Sequence, residues 1–425
     1  MEAKDTQAKA SNAADRDNKG NRVDNIDRVN RVSKVLNVSN DNHTRHHKHG
    51  WEVKKLGEVC VIQGGSTPKR TERLYWEDGT YPWFTIEDIR NQGRIITDTK
   101  QKITKIAWDK LRVFPKDTIL LCCTASIGEY AITHIPLTTN QQFNGLMIKD
   151  KSYLSPMYLM HFCATLKEKL STLSGKAIID FVSAEKIRQI PIPVPGIEEQ
   201  ERIVRELDCL SGVIERKREQ LKQLDALAQS IFYDMFGDPI SNEKSWEVKK
   251  LKTVSILLNG RAYKQNELLD SGKYKVLRVG NFFTNSNYYY SDLELEEDKY
   301  CDDGDLLFAW SASFGAFIWN GGKVIYHYHI WKVLYDKQML NIHYYRFLLN
   351  TMTTYFMKDV HGIGMVHLTK AGMEQYNLPI PPLPLQQEFA EKIEAIEKQK
   401  ELLKRSIKEV ETLFDARMDY YFGDT

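Results

Sequence analysis

The sequence predicts an α+β protein in which two α/β domains are separated by two long helices that pair as an antiparallel intramolecular coiled coil, with pseudo-two-fold symmetry. Three observations predict it. The phrase WEVKKLGEV at Trp51 returns as WEVKKLKTV at Trp246, and five further stretches follow in the same order behind each copy. The duplicated unit is therefore roughly 190 residues long, too long for a solenoid repeat, so each copy is a domain in its own right. Finally, each copy closes with a Pro-rich string followed by apolar residues at alternating spacings of four and three, the pattern of a coiled-coil helix.

The first element, 1–50, contains no aromatic residue and is rich in Asn, Asp, Lys and Arg. It cannot bury enough apolar surface to offset the entropy of ordering, so it is expected to be a disordered polar tail. His43, His46, His47 and His49 have the residue type of a metal site, but a solvated basic tail is the reading adopted, with no function and no metal assigned.

The second element, 51–195, mixes apolar runs, aromatics and Gly/Asn turns, as expected of a compact domain with short strands. Thr118 to Cys123 is a candidate strand. In the other copy, 246–384, the candidates are Asp305 to Trp310 and the string at His329, with Trp331 in the core. The copies share IPIPVPGIEEQERI and LPIPPLPLQQEFAEKI, TASIG and SASFG, and a closing Phe-Gly-Asp. Between these phrases they diverge: STPKRTERLYWEDGT has no counterpart in RAYKQNELLDSGK.

The remaining elements are the helices, 196–237 and 385–423. Proline holds each chain extended up to the helix boundary, and Glu198, Glu199 and Glu201 then lie where the helix dipole favours negative charge. The first seam reads Ile203, Leu207, Leu210, Ile214, Lys217, Leu221, Leu224, Ala228, Ile231 and Met235. The second reads Phe389, Ile393, Ile396, Lys400, Leu403, Ile407, Val410, Phe414, Arg417 and Tyr421, one register shifted by a constant 186 positions. Each helix spans roughly 60 Å, and its stripe would stay wet without a partner, which the other helix supplies. With a head at either end of the rod, the pair must run antiparallel; the competing arrangement packs each helix on its own domain. Lys217 and Lys400 interrupt the seam and set register. Gly237 and Gly423 suit a helix C-cap with positive φ, and Gly212 marks a candidate bend.

Composition excludes several classes. An apolar content of 42% is ordinary for a globular chain. No stretch approaches the ~18 apolar residues of a membrane span, and the N-terminus lacks the apolar core of a secretory signal. Six cysteines without a C-x-x-C pair or zinc spacing suit reduced thiols in the cytoplasm. A net charge of +2 names no partner by itself.

Two similar heads on a rigid rod suit a ligand with two sites at fixed separation, and duplex DNA is such a ligand. The Trp-x-x-x-x-Leu openings, TASIG and SASFG, HIWKV at His329 and the two Pro-rich helix starts together resemble the specificity subunit of Type I restriction–modification systems, over about residues 51 to 425. The tail departs from that family, whose members often begin close to the Trp-containing phrase.

The resemblance implies that the two heads are target recognition domains, each reading one half of an asymmetric bipartite DNA site. It implies a non-catalytic subunit that binds double-stranded DNA and holds two methyltransferase subunits, which use S-adenosylmethionine to methylate adenine. Two restriction/translocase subunits join and use ATP and Mg; no cofactor is expected in this chain. The helices would fix the unread spacer and dock the methyltransferases.

The residues agree with a role without catalysis. There is no Asn/Asp-Pro-Pro-aromatic tetrad and no complete phosphate loop, and HGIGMV at His361 reads as a turn. The heads carry 20 basic and 15 acidic residues (51–195) and 15 and 14 (246–384), so non-specific phosphate binding should be modest. Base reading needs Arg, Lys, Asn and Gln at groove edges. In head one the candidates are Lys69, Arg70, Arg73, Arg90, Arg94, Gln141, Gln142 and Asn144. In head two they are Arg261, Lys264, Gln265, Arg278, Asn281, His327 and His329, with Tyr288 to Tyr290 as stacking or strand residues. The rival readings are a two-headed protein–protein scaffold without DNA binding and a free-standing DNA-binding regulator; a self-contained methyltransferase–endonuclease is disfavoured by the missing tetrad.

Overall fold

The computed structural model describes residues 51–174, 181–283, 287–311, 313–357 and 368–423. The polar tail with its histidines, and the string at His361, lie outside these residues. Two compact units divide the chain: residues up to Arg202 together with those from Asp419 onward, and Ile203–Met418.

In the first unit the opening phrase forms β1 (Glu52–Lys55), followed by α1 (Leu56–Val59) and β2 (Cys60–Gly64). Then come β3 (Tyr81–Phe84), α2 (Ile86–Gln92), β4 (Ile95–Ile96), β5 (Gln101–Ile103) and α3 (Lys105–Trp108). The apolar run at Thr118 becomes β6 (Ile119–Cys122), buried along its whole length, followed by β7 (Tyr130–Thr133), β8 (Thr138–Thr139) and β9 (Phe143–Ile148). Next are α4 (Pro156–Ala164), α5 (Leu166–Ser174), α6 (Ala184–Arg188), β10 (Pro191–Val194) and the long α7 (Ile197–Phe236), whose residues from Ile203 onward belong to the second unit. Five strands form one sheet, β2-β9-β6-β7-β4, and three another, β5-β3-β8. Phe84, Phe114, Leu120 and Phe143 join one buried cluster. The Pro-rich string is β10, antiparallel to β1. A two-stranded ribbon tolerates Pro191 and Pro193 because an edge strand has N–H positions that need no partner.

The second unit repeats this order. It runs through β11 (Glu247–Lys250), α8 (Leu251–Val254), β12 (Ser255–Asn259), β13 (Tyr274–Leu277), α9 (Val279–Phe283) and β14 (Tyr289–Ser291). It continues with β15 (Tyr300–Cys301), β16 (Leu306–Ser311), β17 (Ser313–Ile318), β18 (Val324–Tyr326) and β19 (Ile330–Tyr335). It ends with α10 (Ile342–Phe356), α11 (Lys370–Met373), β20 (Asn377–Ile380) and the long α12 (Leu383–Phe422). Its sheets are β12-β19-β16-β17 and β14-β13-β18-β15, with β11 and β20 as the ribbon. Trp331 is buried on β19.

Each long helix is 40 residues, and both ends keep the shift of 186 that the sequence shows. Each start is fixed by a fully buried glutamine. The Gln200 amide donates to the carbonyls of Pro195 (2.8 Å) and Tyr153 (2.9 Å) and accepts from the Ser155 N–H (2.8 Å). Gln386 does the same with Pro381, Met339 and Asn341, each at 2.8 Å. Beside them, the Tyr158 and Tyr344 hydroxyls donate to the Pro193 and Pro379 carbonyls.

Within the second unit α7 and α12 run antiparallel. Glu206 meets Arg417 (2.7 Å), Arg218 meets Glu411 (2.6 Å), Asp225 meets Lys400 (2.7 Å), and Phe236 lies against Phe389, so one partner's number falls as the other's climbs. Ile203, Leu207, Ile214, Ala228, Phe389, Ile393, Ile396 and Ile407 are buried; Leu210, Leu221, Leu224, Leu403, Val410 and Phe414 are half-buried.

Three details differ from the sequence reading. Toward its C-terminal end α7 buries Phe232 and Phe236 rather than Ile231 and Met235, which pack only partly. There the helix meets α10 as well as α12, so its buried face turns by one residue. Gly237 has φ of 74°, as expected of a cap, but Gly423 does not enter that region, although both N–H groups close a final turn, on the Tyr233 (2.8 Å) and Asp419 (2.7 Å) carbonyls. α7 also passes through Gly212 without interruption.

Candidate nucleic-acid interface

Strand direction decides which loops meet. In the first unit β9 starts beside the end of β2, with Gly64 opposite Asn144, and beside the end of β6, with Cys122 opposite Phe143. β7 begins at the same end, with Tyr130 opposite Leu121. The loops carrying Lys69–Arg73, Ala125–Gly128 and Asn140–Gln142 therefore share one end of the sheet. Backbone bonds tie them together: Gly65 N–H to the Phe143 carbonyl (3.0 Å), Ser66 N–H to Thr139 (2.8 Å) and Cys123 N–H to Gln142 (2.8 Å). Gly65 has no room for a side chain, since an added Cβ would lie 2.4 Å from the carbonyl oxygens of Thr139 and Asn140.

The second unit builds the same end. Gly260 plays the part of Gly65, with an added Cβ 2.3 Å from the Tyr326 oxygen. Arg261 N–H donates to Tyr326, Tyr328 N–H to Arg261, and His327 N–H to Leu277 at the end of β13. Arg278 follows directly.

The candidates split into presented and committed groups. Lys69, Arg73, Arg90, Gln141, Lys264, Gln265 and Arg278 are exposed. Arg73 is loosely paired with Glu77 (3.2 Å), Gln141 accepts from the Thr67 hydroxyl, and the Arg278 guanidinium sits 5.2 Å from the Tyr289 ring centroid. Arg70 lies over Trp76 and Trp83 and donates to Gln101 (2.9 Å). Arg94 bonds Glu129 (2.7 Å) and the Tyr130 carbonyl (2.8 Å). Gln142 pairs with Asn140, and Arg261 forms a bidentate pair with Glu267 (2.8 and 2.9 Å) that holds the Glu267 carboxyl down at about 2. Asn281 bonds the Arg278 N–H and the Asn287 carbonyl, turning the chain after β13. Asn144 departs most from expectation: it is 4% exposed, inside the sheet, and its amide donates to the Cys123 thiol (3.1 Å). It presents no edge to a ligand.

His327 and His329 flank Tyr328 in an aromatic group completed by Trp310, whose ring centroid is 5.2 Å from that of His329 and whose indole N–H donates to the Tyr328 carbonyl (3.0 Å). Burial, with help from His329 and Arg278, pushes the His327 imidazole down to about 4, so it is neutral at pH 7 and offers one donor and one acceptor. The sequence places Trp310 only at the end of a candidate strand and does not single out Tyr328; the signal was its place beside the phrase that starts at His329, where strand meets loop. Tyr289 and Tyr290 form β14.

Among the described residues no helix is long and apolar enough to cross a membrane. A family model described as Type I restriction modification DNA specificity domain matches residues 48–226 and 243–412, once in each repeat. The MjaIX specificity subunit of Methanocaldococcus jannaschii, a Type I restriction enzyme component, is 30% identical over 370 residues, covering 80% of this chain and 85% of that protein. The EcoprrI specificity subunit of Escherichia coli is 32% identical over 219 residues, 49% and 54% of the two chains. The solved S subunit of a Type-I restriction-modification system from M. genitalium superposes with a TM-score of 0.52 at 12% identity, over 89% of this chain and 98% of that one. A chain from a type I R-M system studied for complex assembly and conformational transition gives 0.56 at 18%, over 89% and 100%. At these identities the two structures speak to the fold alone.

Proposed function

The chain belongs to the family of Type I restriction–modification DNA specificity domains, and from that membership we propose that it is the non-catalytic, DNA-reading subunit of a Type I restriction–modification complex in the cytoplasm. Residues 51–195 and 246–384 are its two recognition domains, each reading one half of an asymmetric bipartite site. The helical regions 196–237 and 385–423 fix the unread spacer and dock two methyltransferase subunits, to which two restriction/translocase subunits are added. S-adenosylmethionine, ATP and Mg serve those partners. The observation that carries this reading is the repeated sheet end: matching scaffolds and matching close-approach glycines (Gly65, Gly260) present unlike side chains, Arg and Gln in one head and His, Tyr and Arg in the other. Readers of two different half-sites should agree in scaffold and differ in contact loops.

The test is selection from a random duplex library by the chain assembled with its methyltransferase partner. A split motif with a fixed gap should be enriched, and adding one heptad to both helices should widen that gap by roughly 10 Å, about three base pairs. A library that yields no split motif returns the protein to the scaffold reading.

A further inference from the structure

Head one contains a cleft of about 510 Å³ behind the exposed loops. It opens between α2, the Ala125–Gly128 loop and the start of α5. Ile86, Ile89 and Ile127 give it apolar walls, and Arg90, Lys167 and the Ser126 side chain give it polar ones. Glu129 is the acidic residue on the lining, and it is already held by Arg94 at 2.7 Å. Arg90 and Lys167 have no carboxylate partner among the described residues, so two cations face a shared space with their charge unspent. The loop is pinned over Lys167: Gly128 adopts φ of 85°, and a Cβ there would meet the Lys167 backbone and stem at 2.7 to 2.9 Å.

We propose that this cleft seats one backbone phosphodiester of the DNA, with Arg90 and Lys167 neutralising the phosphate and the isoleucines packing on the adjoining deoxyribose. The proposal rests on the DNA-reading function above. Mixed apolar and cationic lining fits a sugar–phosphate better than a free, fully hydrated anion, and phosphate contacts fix register without reading sequence.

The internal repeat supplies a control. By strand register Arg90 corresponds to Phe283, since Phe84 and Leu277 close equivalent strands, and by the helix offset Lys167 corresponds to Thr353. Thr353 donates its hydroxyl to the Leu349 carbonyl of its own helix (2.9 Å), and Phe283 stands against Phe317. Among the described residues of head two, neither of these two positions carries a cation, so the contact belongs to one half-site only.

The experiment measures duplex binding against salt for the chain assembled with its methyltransferase partner. The cognate duplexes carry a single neutral methylphosphonate at successive positions. With wild-type protein, one position in the head-one half should weaken binding roughly tenfold at 0.1 M salt and lower the salt slope by about 0.9, the signature of one lost phosphate contact. R90Q/K167Q should show the same loss on unmodified duplex, no further loss at that position, and an unchanged recognition motif. Wild-type binding indifferent to every head-one methylphosphonate overturns the cleft, as does a folded double variant with wild-type affinity and slope. Thermal protection by inorganic phosphate that R90Q/K167Q abolishes while DNA binding stays intact assigns the cleft to a free anion and also overturns it. A wild-type assembly that binds no duplex refutes the DNA-reading function itself. The methylphosphonate arm needs no variant, so a misfolded R90Q/K167Q leaves the test decisive.

Discussion

Lys400 reaches across the helix pair to Asp225, its ammonium 2.7 Å from the carboxylate and also 3.2 Å from Glu397 on its own helix. The lysine side chain is 15% exposed, whereas Asp225 is 64% exposed. Its counterpart at the same heptad position of α7 is Ile214. Replacing the lysine strands no buried charge, because Asp225 stays solvated and Glu397 keeps Arg346 at 3.3 Å. K400M should therefore stabilise the second unit by about 1 kcal/mol, read as a higher denaturation midpoint. A lower midpoint would show that the ion pair outweighs the apolar seam.

The buried glutamines predict the opposite sign. Q200L or Q386L removes three hydrogen bonds and leaves two carbonyls and one N–H unmet in a dry site. A loss of about 3 kcal/mol is expected for either variant, measured by denaturant titration. Equal losses in the two halves would follow from their equivalent geometry.

Glycines divide by surroundings. At Gly212 an added Cβ meets only the Arg216 guanidinium at 3.4 Å, so G212A should gain about 1 kcal/mol from helix propensity. At Gly65 the same methyl would strike two backbone carbonyls. G65A should lose roughly 2 kcal/mol or more and displace the loop bearing Lys69 and Arg70. Melting curves of both variants, with duplex binding for the second, check the pair.

Acid should destabilise the second unit through His327. Folded, its imidazole titrates at about 4 because it is buried; unfolded, near 6.5. Between those values the unfolded chain holds the extra proton, so stability falls as pH drops from about 6.5 toward 4. His343, pushed down chiefly by burial, acts in the same direction. H327Q should therefore lose less thermal midpoint than wild type between pH 7 and pH 5. Identical losses would remove His327 from the acid response.

The duplication, the strand phrases and the helix register were legible because each depends on apolar spacing, which is local. Ile119–Cys122 had to be buried on both faces, and Ile393 and Ile396 had to find a seam. The candidate interface was legible only as a set of loops. Arg and Gln serve internal bonds as readily as external ones, and the partner that decides is remote in sequence. Arg70 is held by Trp76, Trp83 and Gln101, Arg94 by Glu129, and Asn144 by Cys123. Lys167 escaped notice because it sits in an ordinary amphipathic helix, and only the fold brings it to Arg90.

Trp51 stacks on Tyr421, with centroids 6.4 Å apart, and Phe422 lies against Tyr158 and Phe162. The first unit is thus finished by residues made about 260 positions after Phe162. At about 5–20 residues per second, translation leaves that apolar docking face open for roughly thirteen to fifty seconds after Phe162 emerges. A nascent chain stalled anywhere in α12 exposes Tyr158 and Phe162 to chaperones, while one extended past Phe422 closes the gap.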